Sequence, residues 1–417
     1  EVIFFMKIKR IFLIFTILII ILSNSLVFAD LEDNEEINVN EVIETSKNVE
    51  NTPNINSQVA LIYDRTGKRI LFEKNGKKQF KMASTTKIMT ATVVLENAKL
   101  DDVVTIENKA AWTGGSRLGL KKDDKITVHD LLYGLLLVSG NDAAVALAIH
   151  VGGSVEGFAE MMNNKAKELG LTNTHFVTPH GLDEDEHYTT AEELAKMADY
   201  AMGIPKFKEI VNTKTYTVRI NNNPKTLTNT NELLGSLSGV YGIKTGFTNG
   251  AGRCLVTACK RNDLDIITVV IGADTNEIRR KDTIKLIQYA YTKFEVVNIK
   301  ESIQNKFEEW KNINEGRIYV NKGIENNVKL SLEKLSYDKM AIKKENIDKI
   351  NISATVIYYY EAPVEKDSII GQFKVMIGDE VIETLDIYNV YGIRKKEIQD
   401  YLIEFLKILN KIKIFSS

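Results

Sequence analysis

Ser84 and Lys87 stand three residues apart in "KMASTTKIMTA", residues 81–91, where an apolar helical pattern begins. On a helix this spacing puts both side chains on one face, so the lysine amine can reach the serine hydroxyl. Serine is a weak nucleophile until a base takes its proton. Lysine can be that base when desolvation or a nearby cation keeps its amine neutral. The first turn of a helix also leaves backbone N–H groups free, and one of them can stabilise an oxyanion formed at the serine. The chemistry would be acyl transfer through a serine ester. The spacing is weak alone, because Ser331 with Lys334 and Ser336 with Lys339 repeat it in a β-rich stretch.

Two further clusters lie downstream. Lys244-Thr245-Gly246 ends the strand-like run "GVYGIKT". Gly246 lets a substrate backbone lie close, while Lys244 and Thr245 can hold a carboxylate by charge and by a hydroxyl hydrogen bond. Ser139-Gly140-Asn141 falls at a break between helical patterns. Its hydroxyl and amide could relay a proton and anchor a carbonyl. Taken singly, each cluster has a plainer reading: a helix cap, a helix-to-helix turn, a strand end. His175, His180 and His187 lie among Asp183, Glu184, Asp185 and Glu186, but their spacing matches no zinc pattern. No metal or cofactor is expected.

The elements that must position these groups read as α+β. "VALIYDRTGKRILFE" is a hairpin turning near Gly67, and residues 84–98 are helical. A long helical region follows over 128–169, broken at Ser139-Gly140-Asn141 and at Gly152-Gly153. A further helix is expected from about Thr190 to Met202, capped by Thr189 or Thr190. "TYTVRI", "GVYGIKT", "GRCLVTACKR" and "LDIITVVIGA" read as strands, the last two joined at Asn262-Asp263, before a helix over 275–294. Strands at both ends and helices between them predict one antiparallel sheet flanked by helices. Residues 295–390 carry short β-rich runs and predict a separate small all-β domain. Cys254 and Cys259, the only cysteines, fall on opposite faces of one strand and are expected as buried free thiols.

The chain has 417 residues, with 54 basic and 56 acidic side chains, which gives no electrostatic footprint for nucleic acid. Met6-Lys7-Ile8-Lys9-Arg10 is basic, and Ile11 to Leu22 is apolar apart from Thr16. That run is short for a membrane span and suits a signal peptide cleaved after Ala29. The residues ahead of Met6 read as untranslated upstream sequence. Residues 30–57 are rich in Asn, Glu and Asp, lack aromatics, and read as a flexible acidic linker. Residues 397–415 place Ile398, Tyr401, Leu402, Phe405, Ile408, Leu409, Ile412 and Phe415 on one helical stripe. Interspersed charges exclude a span and fit a helix lying in the headgroup region. The expected layout is 1–29 upstream residues and signal peptide, 30–57 linker, 58–294 catalytic domain, 295–390 β-rich domain and 391–417 membrane-anchor helix.

The three clusters in this order resemble class A β-lactamases and penicillin-binding proteins. The segments "ASTTKIMTA", "DLLYGLLLVSGNDAAVALA", "FVTPHGLDEDEHYTTAEELAKMA" and "GIKTGFTNGAGRCLVTA" narrow the resemblance to the serine D-alanyl-D-alanine carboxypeptidases, low-molecular-mass penicillin-binding proteins, over roughly residues 58–294. The resemblance implies that Ser84 is acylated and Lys87 is its general base. Ser139 would pass the proton to the leaving amine, and Asn141 would position Lys87 and substrate. Lys244 and Thr245, with Gly246 beside them, would bind the terminal carboxylate. The backbone N–H groups of Ser84 and Phe247 would form the oxyanion hole. Glycine at position 140 is normal for this branch. The implied partners are peptidoglycan stem peptides ending in D-Ala-D-Ala and β-lactams as covalent inhibitors. The implied location is the outer face of the cytoplasmic membrane. A β-lactamase would need a Glu-x-x-Leu-Asn loop between Ser139 and Lys244, and none is found. A transpeptidase is a nearer rival, and a non-catalytic wall-binding module would have no use for a lysine beside a serine.

Overall fold

The computed structural model describes residues 42, 43 and 52–415, with side chains to 409. The expected signal segment and most of the acidic linker lie outside the described residues. The chain divides into two compact units between Thr292 and Lys293.

In the first unit, strands β1 (Val59–Asp64) and β2 (Arg69–Lys74) form the expected hairpin. Helix α1 (Lys87–Asn97) follows a 3₁₀ turn over Ala83–Thr86. Short strands β3 (Val103–Thr105) and β4 (Lys125–Thr127) pair around α2 (Asn108–Ala111). The helical region then divides into α3 (Val128–Leu136), α4 (Asn141–Gly152) and α5 (Val155–Glu168). The first break is Ser139 at φ 60°, a left-handed backbone that no helix continues through. The second is Gly153 at φ 73°, which closes α4 as glycine commonly closes helices, and Ser154 caps α5 by accepting from Gly157 N–H. Helix α6 (Ala191–Ala201) takes Thr190 as its cap, with the Thr190 hydroxyl accepting from Glu193 N–H. Helix α7 (Pro205–Val211) and the hairpin β5 (Thr215–Ile220) and β6 (Asn223–Thr228) lead to three long strands.

Strands β7 (Val240–Thr248), β8 (Gly252–Arg261) and β9 (Leu264–Ala273) complete an antiparallel sheet in the order β2-β1-β9-β8-β7. So the chain's two ends do build one sheet, with helix α8 (Asn276–Lys293) closing the unit. Seven of the ten residues of β8 and nine of the ten of β9 are buried, because helices cover both faces, which is why these strands read as continuous apolar runs rather than alternating ones. Cys254 and Cys259 are buried free thiols on β8. Helix α6 packs on β1 and β9, α1 packs on α6, and α3 and α4 pack on α1, so these helices and the sheet share a single apolar core.

The second unit opens with β10 (Phe294–Asn298), which pairs with β13 (Lys339–Lys343). Between them lie α9 (Ile299–Asn314), β11 (Tyr319–Asn321) and β12 (Leu330–Leu332). Strands β14 (Ile350–Val356), β15 (Tyr359–Glu361), β16 (Ile369–Ile377) and β17 (Glu380–Asn389) follow. An antiparallel sheet runs β12-β17-β16-β14, and β11 pairs with β15 in parallel. The unit is β-rich but not free of helix. Helix α9 presses Ile299, Ile303 and Phe307 into the unit's core, with the Phe307 ring edge-on to Phe373. The i, i+4, i+8 spacing of those three was the available signal, thin because charges fill the turns between them. Helix α10 (Ile398–Phe415) closes the chain, and among the described residues no helix is long and apolar enough to cross a membrane.

Candidate active site

Ser84 lies one turn earlier than the α-helix, in the 3₁₀ turn, and is half-buried. The preceding Ala83 has φ 47°, a left-handed conformation that costs a residue with a side chain about 1 kcal/mol or more. Its surroundings enforce it. Thr86 Oγ1 donates to Ala83 O at 2.8 Å and Thr85 N–H donates to Met82 O at 3.2 Å. Gly181 packs so closely that a Cβ there would sit 1.9 Å from Ala83 O.

Lys87, the first residue of α1, is fully buried. Its Nζ lies 2.9 Å from Ser84 Oγ, 2.7 Å from Asn141 Oδ1 and 2.9 Å from His180 O. Burial, and secondarily the nearby Lys244 amine, hold Lys87 far below the ordinary lysine range, against a smaller opposing pull from Asp142. The consequence follows from counting. A neutral amine has two N–H bonds and one lone pair. The carbonyl oxygens of Asn141 and His180 can only accept, so they take both N–H bonds. The lone pair is left for Ser84 Oγ. In the neutral form the amine's lone pair would therefore face one hydroxyl, that of Ser84.

Asn141 opens α4 and is itself fixed from outside. Its Nδ2 donates to Gly114 O at 2.7 Å, and its backbone N–H donates to Ser116 O at 2.7 Å. With Nδ2 committed, Oδ1 must face Lys87. Ser139 is buried, and its Oγ has no hydrogen-bond partner among the described residues. A buried hydroxyl without a partner costs roughly 1–3 kcal/mol, which is the condition of a group kept open for a ligand or a proton.

Lys244 is buried on β7, with Nζ donating to Thr245 O at 2.9 Å. Burial, and then the Arg279 guanidinium, push it down to about 7. Thr245 Oγ1 lies 2.7 Å from Thr230 Oγ1. Strand β7 is the sheet's edge, so alternate N–H groups face away from β8. Gly246 brings that edge against Ser84: a Cβ there would stand 3.0 Å from Ser84 N and 3.2 Å from Thr85 N. Phe247 follows, its ring 4.5 Å from the Arg253 guanidinium carbon. The fold thus gathers Ser84, Lys87 and Asn141 in one hydrogen-bonded group and lays Gly246 of the Lys244–Phe247 strand beside it.

Comparison with known proteins decides the family. The sequence pattern of D-alanyl-D-alanine carboxypeptidases matches residues 45–275, and that of the penicillin-binding protein 5 C-terminal domain matches residues 307–392. The chain belongs to the D-alanyl-D-alanine carboxypeptidase family. It is 33% identical over 336 residues to D-alanyl-D-alanine carboxypeptidase DacF of Bacillus subtilis, covering 78% of this chain and 82% of the relative. It is 38% identical over 259 residues to DacC of Escherichia coli, covering 59% and 64%. The crystal structure of penicillin-binding protein 5 from Haemophilus influenzae superposes with a TM-score of 0.69 at 28% identity, over 83% of this chain and 99% of that one. A mutant of a Streptomyces DD-transpeptidase does so with a TM-score of 0.56 at 36% identity, over 58% and 99%.

Several supports of this carboxypeptidase site escaped sequence reasoning. His187 Nδ1 accepts from Val177 N–H at 3.0 Å, so its Nε2 carries the proton and donates to Thr86 Oγ1 at 2.8 Å. Burial first, then His175, pushes His187 down to about 4, which keeps that neutral form. Burial and Lys87 push His180 down to about 3. These histidines brace the nucleophile turn. Among the described residues no three His, Cys, Asp or Glu side chains converge as metal ligands. Asp183 accepts from Thr248 Oγ1 at 2.7 Å and Gly250 N–H at 2.9 Å, tying the same loop to the end of β7.

Asp142 is the other hidden support. Fully buried, its carboxylate accepts from Leu118, Gly119, Leu120 and Ala143 N–H at 2.7 to 2.9 Å. Lys225 Nζ donates to Leu118 O at 2.6 Å from the opposite side. The loop clamped this way carries the Gly114 and Ser116 carbonyls that hold Asn141. Asp142→Asn turns an amide N–H toward backbone N–H donors and should cost about 3 kcal/mol of stability. A thermal or urea melt checks this, and penicillin acylation should slow in parallel because Asn141 loses its brace.

Proposed function

We propose that the protein is a serine D,D-carboxypeptidase that removes the terminal D-alanine from peptidoglycan pentapeptide stems through an acyl-enzyme on Ser84. The observation that carries this reading is the Lys87 amine, 2.9 Å from Ser84 Oγ with both of its N–H bonds committed elsewhere. Ser84 Oγ attacks the carbonyl carbon between the two D-alanines while Lys87 Nζ accepts the hydroxyl proton. The negative charge that develops on the carbonyl oxygen is met by the N–H groups of Ser84 and Phe247. The peptide C–N bond then breaks, and Ser139 passes the proton from Lys87 to the departing D-alanine nitrogen. Water attacks the ester, Lys87 again takes the proton, and Ser84 is restored with a tetrapeptide released. A trimmed stem has lost the bond whose cleavage drives cross-linking, so the activity limits cross-links. A β-lactam acylates Ser84 in the same way, and without a glutamate placed to activate water it leaves slowly.

Lys244 and Thr245 take the substrate's terminal carboxylate. This gives a pH dependence. The Lys244 charge is present below its value of about 7 and is lost as pH rises through it. A bound carboxylate favours the charged form. The kcat/KM for peptide should therefore fall above pH about 7, by up to tenfold per unit. Lys244→Arg should remove that limb, because a guanidinium does not titrate there. A pH profile of both enzymes measures it, and an unchanged limb would assign the titration to another group.

The exported location of the family agrees with a signal segment at residues 6–29. Helix α10 supplies the tether to the outer face of the membrane: its apolar residues from Ile398 to Leu409 stay 42% to 85% exposed. The deciding experiment incubates the chain from Asp30 with a D-Ala-D-Ala pentapeptide and weighs the products. Loss of one alanine is expected, and an untouched peptide overturns the reading. The similarity to a DD-transpeptidase favours a second reading, in which an amine intercepts the acyl-enzyme. An added glycine peptide would then appear joined to the tetrapeptide.

A further inference from the structure

Helix α10 is rooted in the β11 end of the second unit. Ile324 N–H donates to Arg394 O at 3.1 Å, and Lys396 N–H donates to Lys322 O at 2.8 Å, just ahead of the helix. Beside that root, Tyr319 and Tyr359 are partners across the parallel β11–β15 pair, with ring centroids 6.1 Å apart. They are 43% and 53% exposed, large for aromatic side chains on a folded unit. The Lys396 ammonium lies 5.7 Å over the Tyr401 ring and within electrostatic reach of Tyr319. Tyr401 stands in the apolar stripe of α10. Tyr359, Tyr319 and Tyr401 are thus three exposed tyrosines at the root of the helix, with Lys396 between the sheet pair and the helical one.

Their place beside the helix says what covers them. A stripe that enters lipid draws its neighbours on the same edge toward the same phase. Tyrosine suits the boundary, with an apolar ring and a polar end that stays wet. The chemistry around the tyrosines fits headgroups as well. Lys322, Arg394 and Lys395 are exposed at the root of the helix. Arg394 is paired with Asp400 at 2.6 Å and Lys322 lies 3.7 Å from Glu361, so Lys395 is the cation of the three left for anionic lipid. Glu361, beside Tyr359, is occupied: it accepts from Asn321 Nδ2 at 2.7 Å and Tyr359 OH at 3.0 Å.

We propose that the Tyr319–Tyr359 edge is a second membrane-contacting surface, so that the C-terminal unit rests with its β11–β15 edge among anionic lipid headgroups and does not hang from α10 alone. This rests on the reading of α10 as a tether and deepens it. The tyrosine pair widens the contact from a line along the helix to a patch that fixes the unit's tilt.

The test sediments the chain from Asp30 with vesicles of phosphatidylglycerol and phosphatidylcholine. Tyr319→Ser/Tyr359→Ser should lower the partition coefficient roughly tenfold, from the loss of two interfacial rings. Penicillin acylation, which uses the other unit, should stay unchanged, and a urea melt of the second unit that matches the unaltered chain's shows that the variant is folded. A chain ending at Lys396, which keeps Ile393 in the core and the Lys396 bond to Lys322, should lose vesicle binding. If the double variant binds as tightly as the unaltered chain while the truncated chain does not bind, the edge is not a lipid contact although the tether stands. If the unaltered chain itself does not bind, both readings fall. If the double variant keeps lipid but loses sedimentation with purified peptidoglycan, the tyrosine pair is a glycan surface and the proposal is overturned.

Discussion

Ser84→Ala should abolish covalent penicillin labelling and lower peptide hydrolysis on the order of 10⁴-fold or more, the scale on which a covalent nucleophile is lost. The loss should come without unfolding. Ser84 is half-buried, and the bonds that hold its turn are made by Thr85, Thr86, Gly181 and His187 rather than by its own hydroxyl. Its hydroxyl touches only Lys87 Nζ. The melting temperature should stay within a few degrees of the unaltered protein. The measurement is fluorescent-penicillin labelling followed by peptide mapping. Label found on another serine, Ser139 included, would reassign the nucleophile.

The second large effect separates two buried lysines that carry the same formal charge. Lys87→Arg should block acylation by roughly 10²–10⁴-fold, the usual worth of a positioned base. A guanidinium stays protonated at every accessible pH, so it offers Ser84 no lone pair. It must also fit a bulkier planar group where Lys87 has three partners within 2.9 Å. Lys244→Arg should keep a measurable part of the activity, since that position requires charge and not basicity. Acylation rates of the two variants with one penicillin provide the comparison. Equal losses would mean that Lys244 also acts as a base or that Lys87 acts as a charge. Burial lowers both amines, Lys87 with the added effect of Lys244 and Lys244 with that of Arg279, so the variants test the two roles rather than the two environments.

Local sequence carried much of this. The helix of Lys87, the breaks at Ser139 and Gly153, the cap at Thr190 and the β8–β9 hairpin are all written in short-range signals: spacing, turn residues and apolar runs. The i, i+3 spacing allowed a serine–lysine pair, and the order of the three motifs carried the family resemblance that implied the chemistry. The helix α9 was missed for a local reason too. Its apolar face is only Ile299, Ile303 and Phe307, and strands on either side dominated the pattern.

What only the tertiary structure decided is protonation and direction. Nothing near Lys87 in sequence says that its partners are Asn141 and His180 O, 54 and 93 residues away. Their carbonyls take the two N–H bonds and leave the lone pair for Ser84. Asp142, which nothing in the sequence singled out, anchors the loop that orients Asn141. The spacing of His180 and His187 matched no metal pattern, and only packing shows them as neutral braces, because burial removes the charged form. A spacing fixes which side chains can share a face. Whether an amine there is a base depends on how much water the rest of the chain has excluded from it, and that is a property of the packed molecule alone.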